Sequence, residues 1–140
     1  MEKILHVTVR SLIENLDDFG LTESTESETV TESAAVIKEG EGLTLVYEEK
    51  NEGGACETRL TVTELGVRLV RHGAIESVME FRVGELTKTV YSVPPFSFDA
   101  EIETKRIKST LTECGGTLEL RYTLTIGGAK KKTRLSLTVY

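Results

Sequence analysis

Leu118-Glu119-Leu120-Arg121-Tyr122-Thr123-Leu124-Thr125-Ile126 alternates apolar and polar residues without a break. Successive side chains on a β-strand point to opposite faces, so this stretch has one apolar face and one polar face. A strand buried on one side and wetted on the other reads this way, and such strands belong to antiparallel sheets. The same alternation recurs outward from it. Leu135, Leu137 and Val139 share a phase, as do Met79, Phe81 and Val83, Leu60 and Val62, and Leu43, Leu45 and Tyr47.

Turn sequences separate these runs at short intervals. They are Glu39-Gly40-Glu41-Gly42, Asn51-Glu52-Gly53-Gly54, Leu65-Gly66, His72-Gly73, Val83-Gly84, Pro94-Pro95, Gly115-Gly116 and Gly127-Gly128. About ten or eleven strand segments result, roughly at 3–13, 24–38, 42–50, 55–64, 67–71, 74–83, 86–93, 96–104, 105–113, 117–126 and 130–139, the stretch from Phe96 to Cys114 being one bent strand or two. Short loops favour an up-and-down meander, and closure removes the two exposed edges that an open sheet would carry. The expected fold is all-β: one closed antiparallel, lipocalin-like barrel of about 8–10 strands, spanning 1–140 as a single domain. One short helix is expected at Ser11–Phe19, where Leu12, Ile13, Leu16 and Phe19 fall near helical spacing and Gly20 could end it.

The formal net charge of −6 argues against a nucleic-acid partner, which requires a basic footprint. The charge is uneven. No Lys or Arg falls between Arg10 and Lys38, a stretch that holds seven acidic residues, whereas Lys130, Lys131, Lys132 and Arg134 cluster near the end. This pattern is either a solvated acidic edge and a basic hairpin, or acid-to-base pairing between first and last strands or between two copies, so a homodimer is one expected partner. No apolar run approaches the roughly 20 residues of a membrane helix, and the first residues are too polar for a signal peptide. A cytoplasmic protein without a membrane partner is expected, its two cysteines, Cys56 and Cys114, reduced.

An ordered set of motifs in the second half resembles the bacterial YwiB-like family. The set is Val67-Arg68-Leu69-Val70-Arg71-His72-Gly73, Val78-Met79-Glu80-Phe81-Arg82-Val83-Gly84, Tyr91-Ser92-Val93-Pro94, Ile102-Glu103-Thr104, Gly115-Gly116-Thr117-Leu118 and Tyr122-Thr123-Leu124. The resemblance implies a calycin-type β-barrel and carries no agreed activity. The chain departs from the family pattern after Tyr91, where Val93 stands in place of a Thr and no Gly follows the prolines.

Chemistry is sparse. Neither histidine has metal-ligand spacing, no GxSxG motif is present, and the glycine pairs lack the Lys-Ser/Thr of a phosphate loop, so no metal, cofactor or catalytic residue is expected. His72 reads as a turn residue and His6 as an exposed strand residue. Arginines in the apolar phase are the exception. Arg71 shares a face with Leu69, and Arg106 shares one with Phe96, Phe98, Ala100, Ile102 and Thr104 if that strand runs unbroken. A buried arginine is costly unless paired, so each sits at a wet rim, pairs with Glu49 or Glu64, or meets an anionic ligand. Tyr47, Met79, Phe81, Phe98 and Tyr122 fall on the lumen face, and with Tyr91, Arg71 and Arg106 they are the candidate ligand contacts. Three readings follow: a barrel holding a small apolar or amphipathic anion, a filled barrel serving protein interaction, and, weakest, catalysis by carboxylates such as Glu80 or Glu101.

Overall fold

A computed structural model describes residues 2–51 and 53–140. Ten strands run in order: β1 (Glu2–Leu16), β2 (Thr22–Glu39), β3 (Gly42–Asn51), β4 (Gly54–Thr63), β5 (Gly66–Gly73), β6 (Glu76–Phe81), β7 (Leu86–Val93), β8 (Phe96–Ser109), β9 (Gly116–Ile126) and β10 (Ala129–Val139). Each pairs antiparallel with its sequence neighbour, and β1 pairs with β10 to close the barrel. The expected up-and-down barrel is therefore the observed one. At the closure His6 and Tyr140 exchange both backbone hydrogen bonds, N to O distances being 2.8 and 2.9 Å.

Residues 11–16 continue β1 where a helix was expected. Ser11 through Leu16 lie between β2 and β10, opposite residues 28–22 and 135–130, so each residue is in register with both neighbouring strands. Tertiary pairing overrides the weak helical spacing of Leu12, Ile13 and Leu16, as expected where propensity is only a small term. Among the described residues no helix is long and apolar enough to cross a membrane.

Phe96–Ser109 is one strand, interrupted by an irregularity between Thr104 and Arg106. An extra residue in one strand of a ladder reverses the inward–outward phase beyond it. Ala100, Ile102 and Thr104 therefore point inward, whereas Arg106 is exposed on the outer face, opposite Arg121.

The turns at one end fold tightly against their neighbours. A Cβ at Gly66, whose φ is +145°, would meet the Phe81 carbonyl oxygen at 2.2 Å, so only glycine fits there.

Candidate functional site

The lumen has two unlike halves. At the end holding the β4–β5 turn it is packed solid: Leu45, Leu60, Leu69, Met79, Phe81, Ile102, Leu118, Leu120 and Leu137 are at most 2% exposed. The Phe81 and Tyr122 rings lie 4.7 Å apart at the top of this plug. Above it the aliphatic pattern stops on most strands at one level. The register aligns Tyr47 with Thr58, Thr58 with Arg71, Arg71 with Ser77, Ser77 with Tyr91 and Tyr91 with Phe98. A row of five polar side chains, a partial belt, thus crosses β3–β7, one residue per strand, ending against Phe98 on β8, and the period-2 alternation puts Leu45, Leu60, Leu69 and Met79 one pleat lower.

Arg71 is the charge in this belt, with 17% of its side chain exposed. Its Nε donates to Glu49 Oε1 at 3.3 Å, and the same oxygen accepts from Thr58 Oγ1 at 2.7 Å. Of the two partners weighed from the sequence, Glu49 is the one that pairs; Glu64 lies exposed in the β4–β5 turn. The rest of the guanidinium makes one further contact, Nη1 to Met79 Sδ at 4.0 Å, so donors remain for another acceptor. Burial alone would pull Arg71 down, but Glu49 and the phenol oxygens of Tyr122, Tyr91 and Tyr47 hold it above its ordinary value, fully charged. Burial raises all three tyrosines, so each is a neutral hydroxyl donor and acceptor at neutral pH. Ser77 Oγ, in the same row and in a residue 5% exposed, has no hydrogen-bond partner among the described residues.

Above the belt the lumen opens into a cavity of about 410 Å³. Apolar side chains form much of its wall: Val9, Ile13, Val30, Ile75, Met79, Leu124, Ile126 and Leu135. Tyr47, Glu49, Arg71, Tyr91, Tyr122 and Thr133 supply its polar groups, and Glu28, Glu32, Glu48, Lys50 and Lys131 line it as well. A more open depression on the outer wall, about 630 Å³, runs over Arg59, Val70, His72, Val78 and Val90 and also touches Arg71 and Ser77.

The structure brings together five of the eight candidate contacts. Tyr47, Arg71, Met79, Tyr91 and Tyr122 all line the lumen cavity. Phe81 lies beneath it in the plug, and Phe98, the outermost member of the belt row, is 43% exposed outside the cavity. Arg106 is a correction: the irregularity after Thr104 turns it outward, where Arg121, Arg134 and Arg106 all act on Glu119. Sequence reading passed over Thr58 and Ser77 as site residues. Their signal was positional, each falling in the inward phase of its strand.

Other groups take quiet roles. His72, expected as a turn residue, lies in the last positions of β5 opposite Glu57, its Nδ1 2.8 Å from Glu76 Oε1. His6 is exposed beside the Tyr140 ring, 5.8 Å between centroids. Cys56 is buried, and burial followed by the nearby Glu49 raises its thiol, which makes it a poor nucleophile. Of the charge pairing foreseen between first and last strands, the register sets Glu14 opposite Lys132, but among the described residues no ion pair joins β1 to β10; Lys131 Nζ instead donates to Asn15 Oδ1 at 3.0 Å. Among the described residues no group of three or more His, Cys, Asp or Glu comes together as a metal site.

Fold and lumen together define a closed ten-stranded antiparallel barrel, plugged at one end and open at the other over a buried arginine. The chain belongs to the family described as Domain of unknown function (DUF1934), which matches residues 15–137. It is similar to the crystal structure of the ywiB protein from Bacillus subtilis, with a TM-score of 0.83 and 23% identity over 98% of this chain and 92% of that one. That likeness agrees with the resemblance seen in the sequence and bears on the fold. A search of curated proteins returned no match.

Proposed function

We propose that the open half of the lumen binds a small amphipathic molecule whose anionic head meets Arg71 and whose apolar body lies along Val9, Ile13, Leu124 and Leu135. The observation that carries this reading is the partly used guanidinium: a buried cation with one N–H on Glu49 and others turned to a cavity. A buried charge is normally held by several hydrogen bonds, and Arg71 uses only part of its donors within the protein. A bound anionic head group would supply the missing acceptors. The volume falls within the range of small-molecule pockets, roughly 300–1,000 Å³, and apolar walls with a few polar anchors are their usual lining. The unpaired cysteines support a cytoplasmic setting for this role.

The test uses anilinonaphthalene sulfonate, an apolar anion whose fluorescence rises out of water, displaced by octanoate, octanol or octylamine. Octanoate should displace it best, and Arg71→Met should weaken octanoate by about tenfold or more while leaving octanol unchanged. Equal displacement by all three, or an unaffected Arg71→Met variant, overturns the reading.

A further inference from the structure

The β2–β3 ladder begins at the β2–β3 turn and stops at Ala34↔Tyr47, although both strands continue. Beyond that point β2 pairs only with β1, through residues 22–33, and among the described residues no strand lies on its other side. At about 3.3 Å per residue this leaves roughly 40 Å of free strand edge. A free edge presents unpaired N–H and C=O groups to any extended chain that reaches it.

The edge also has a sided chemistry. Glu26, Glu28 and Glu32 alternate with Ser27, Thr29 and Thr31, so the carboxylates share the inward face and the hydroxyls the outward one. Val30 completes the inward row, and Glu28, Val30 and Glu32 line the lumen mouth. Among the described residues no ion pair neutralises these carboxylates; Glu26 accepts one hydrogen bond, from Asn15 Nδ2 at 3.0 Å. Two copies joined edge to edge would set one acidic row against the other, and like charges across a ladder destabilise it.

We propose that residues 22–33 of β2 accept a basic extended segment of another protein by strand addition. The incoming strand completes the interrupted ladder with its backbone. Its Lys or Arg residues, at alternate positions, face Glu26, Glu28 and Glu32 at the rim of the lumen, while its intervening small or β-branched residues lie beside Thr29 and Thr31. Strand addition draws affinity from main-chain hydrogen bonds and selectivity from alternate side chains, and this edge supplies both. Glu28 and Glu32 share the cavity mouth with Arg71, but the free backbone edge of residues 22–33 is present whether or not the lumen holds a small molecule.

The experiment titrates the full chain with a fluorescent peptide alternating Lys and Val, and follows amide hydrogen exchange. Binding should slow exchange within residues 22–33 and weaken as salt rises. A Glu-Val peptide should not bind. A Lys-Val peptide N-methylated at alternate residues keeps its charge but loses ladder donors, and should bind about tenfold or more weaker. Glu26→Thr with Glu28→Thr should weaken the parent peptide to a similar degree, whereas Arg106→Gln, on the outer face of β8, should leave it unchanged. Undiminished binding of the N-methylated peptide, no protection at 22–33, or formation of a dimer by the free chain through this edge overturns the proposal.

Discussion

The two halves of the lumen are built by the same strands in the same phase, yet they do opposite things. On β5 the inward residue Leu69 is 1% exposed, and two residues on Arg71 carries a charge. On β3 the inward row runs Leu43, Leu45, Tyr47 and then Glu49; on β9 Tyr122 interrupts a row of Leu118 and Leu120 that resumes as Leu124 and Ile126 on the cavity wall. On β2 it runs from Val36 and Ala34 to Glu32, Val30 and Glu28. The change falls at one level because neighbouring strands are locked in register. A barrel thus separates stability from a site along its own axis: one half buries apolar surface, the other keeps polar groups over a cavity.

The sharpest way to break this division is to remove the plug. Phe81→Ala should cost about 3–5 kcal/mol, the range for deleting a buried aromatic ring, and lower the melting temperature strongly. A smaller loss would mean that the lower half is less tightly filled than its burial indicates. Next in size is Glu49→Ala, which strips Arg71 of its charged partner and Thr58 of its acceptor. Charged hydrogen bonds contribute about 1.5–3 kcal/mol, so a loss near the lower end is expected for this partly solvated pair. The double variant Arg71→Met with Glu49→Leu should recover most of that stability in denaturant titration, since an apolar pair can replace a buried ion pair. If it does not, the pair belongs to the fold and not only to the site.

Thiol labelling sharpens the comparison without mutation. Exposed Cys114 should react with an alkylating reagent in the native state, and Cys56 only as the barrel opens. Equal rates would place Cys56 within reach of solvent through the open half. The smallest effect is at the β5–β6 turn, where Glu76 accepts from the Gly73 N–H and from His72. The Gly73 bond, then the His72 bond, hold the Glu76 carboxyl below its ordinary value. Its contribution is full above the unfolded-state value, about 4.3, and is lost as pH falls through the lower folded value. A carboxyl titration of Glu76 by NMR checks this, and His72→Ala should move its midpoint upward.

The barrel was legible because alternation and glycine turns are local signals that point to the same answer. Arg71 and its partner Glu49 were legible too, since both keep the phase of their strands from Leu69 and Tyr47. Arg106 was not. One extra residue after Thr104 reverses its side, and nothing in that segment marks the irregularity. The helix expected at Ser11–Phe19 failed for the converse reason: its local spacing was real, but pairing with two strands outweighs it. Ser77 and Thr58 were invisible as site residues because hydroxyls in a strand read first as β-formers. Their meaning comes from the cross-strand row that only the register supplies.

Closure of the ring by His6 and Tyr140 has a consequence for how the molecule is made. A ribosome delivers β1 first and β10 last, so the seam joins segments separated by nearly the whole chain. Until then β1 waits with one edge unsatisfied and the plug residues remain reachable by water. Such long-range joining slows assembly and lengthens the time spent vulnerable to aggregation. The acidic run along β2, on the other side of β1 from that waiting edge, gives the nascent chain a like-charge repulsion toward its own copies during the interval.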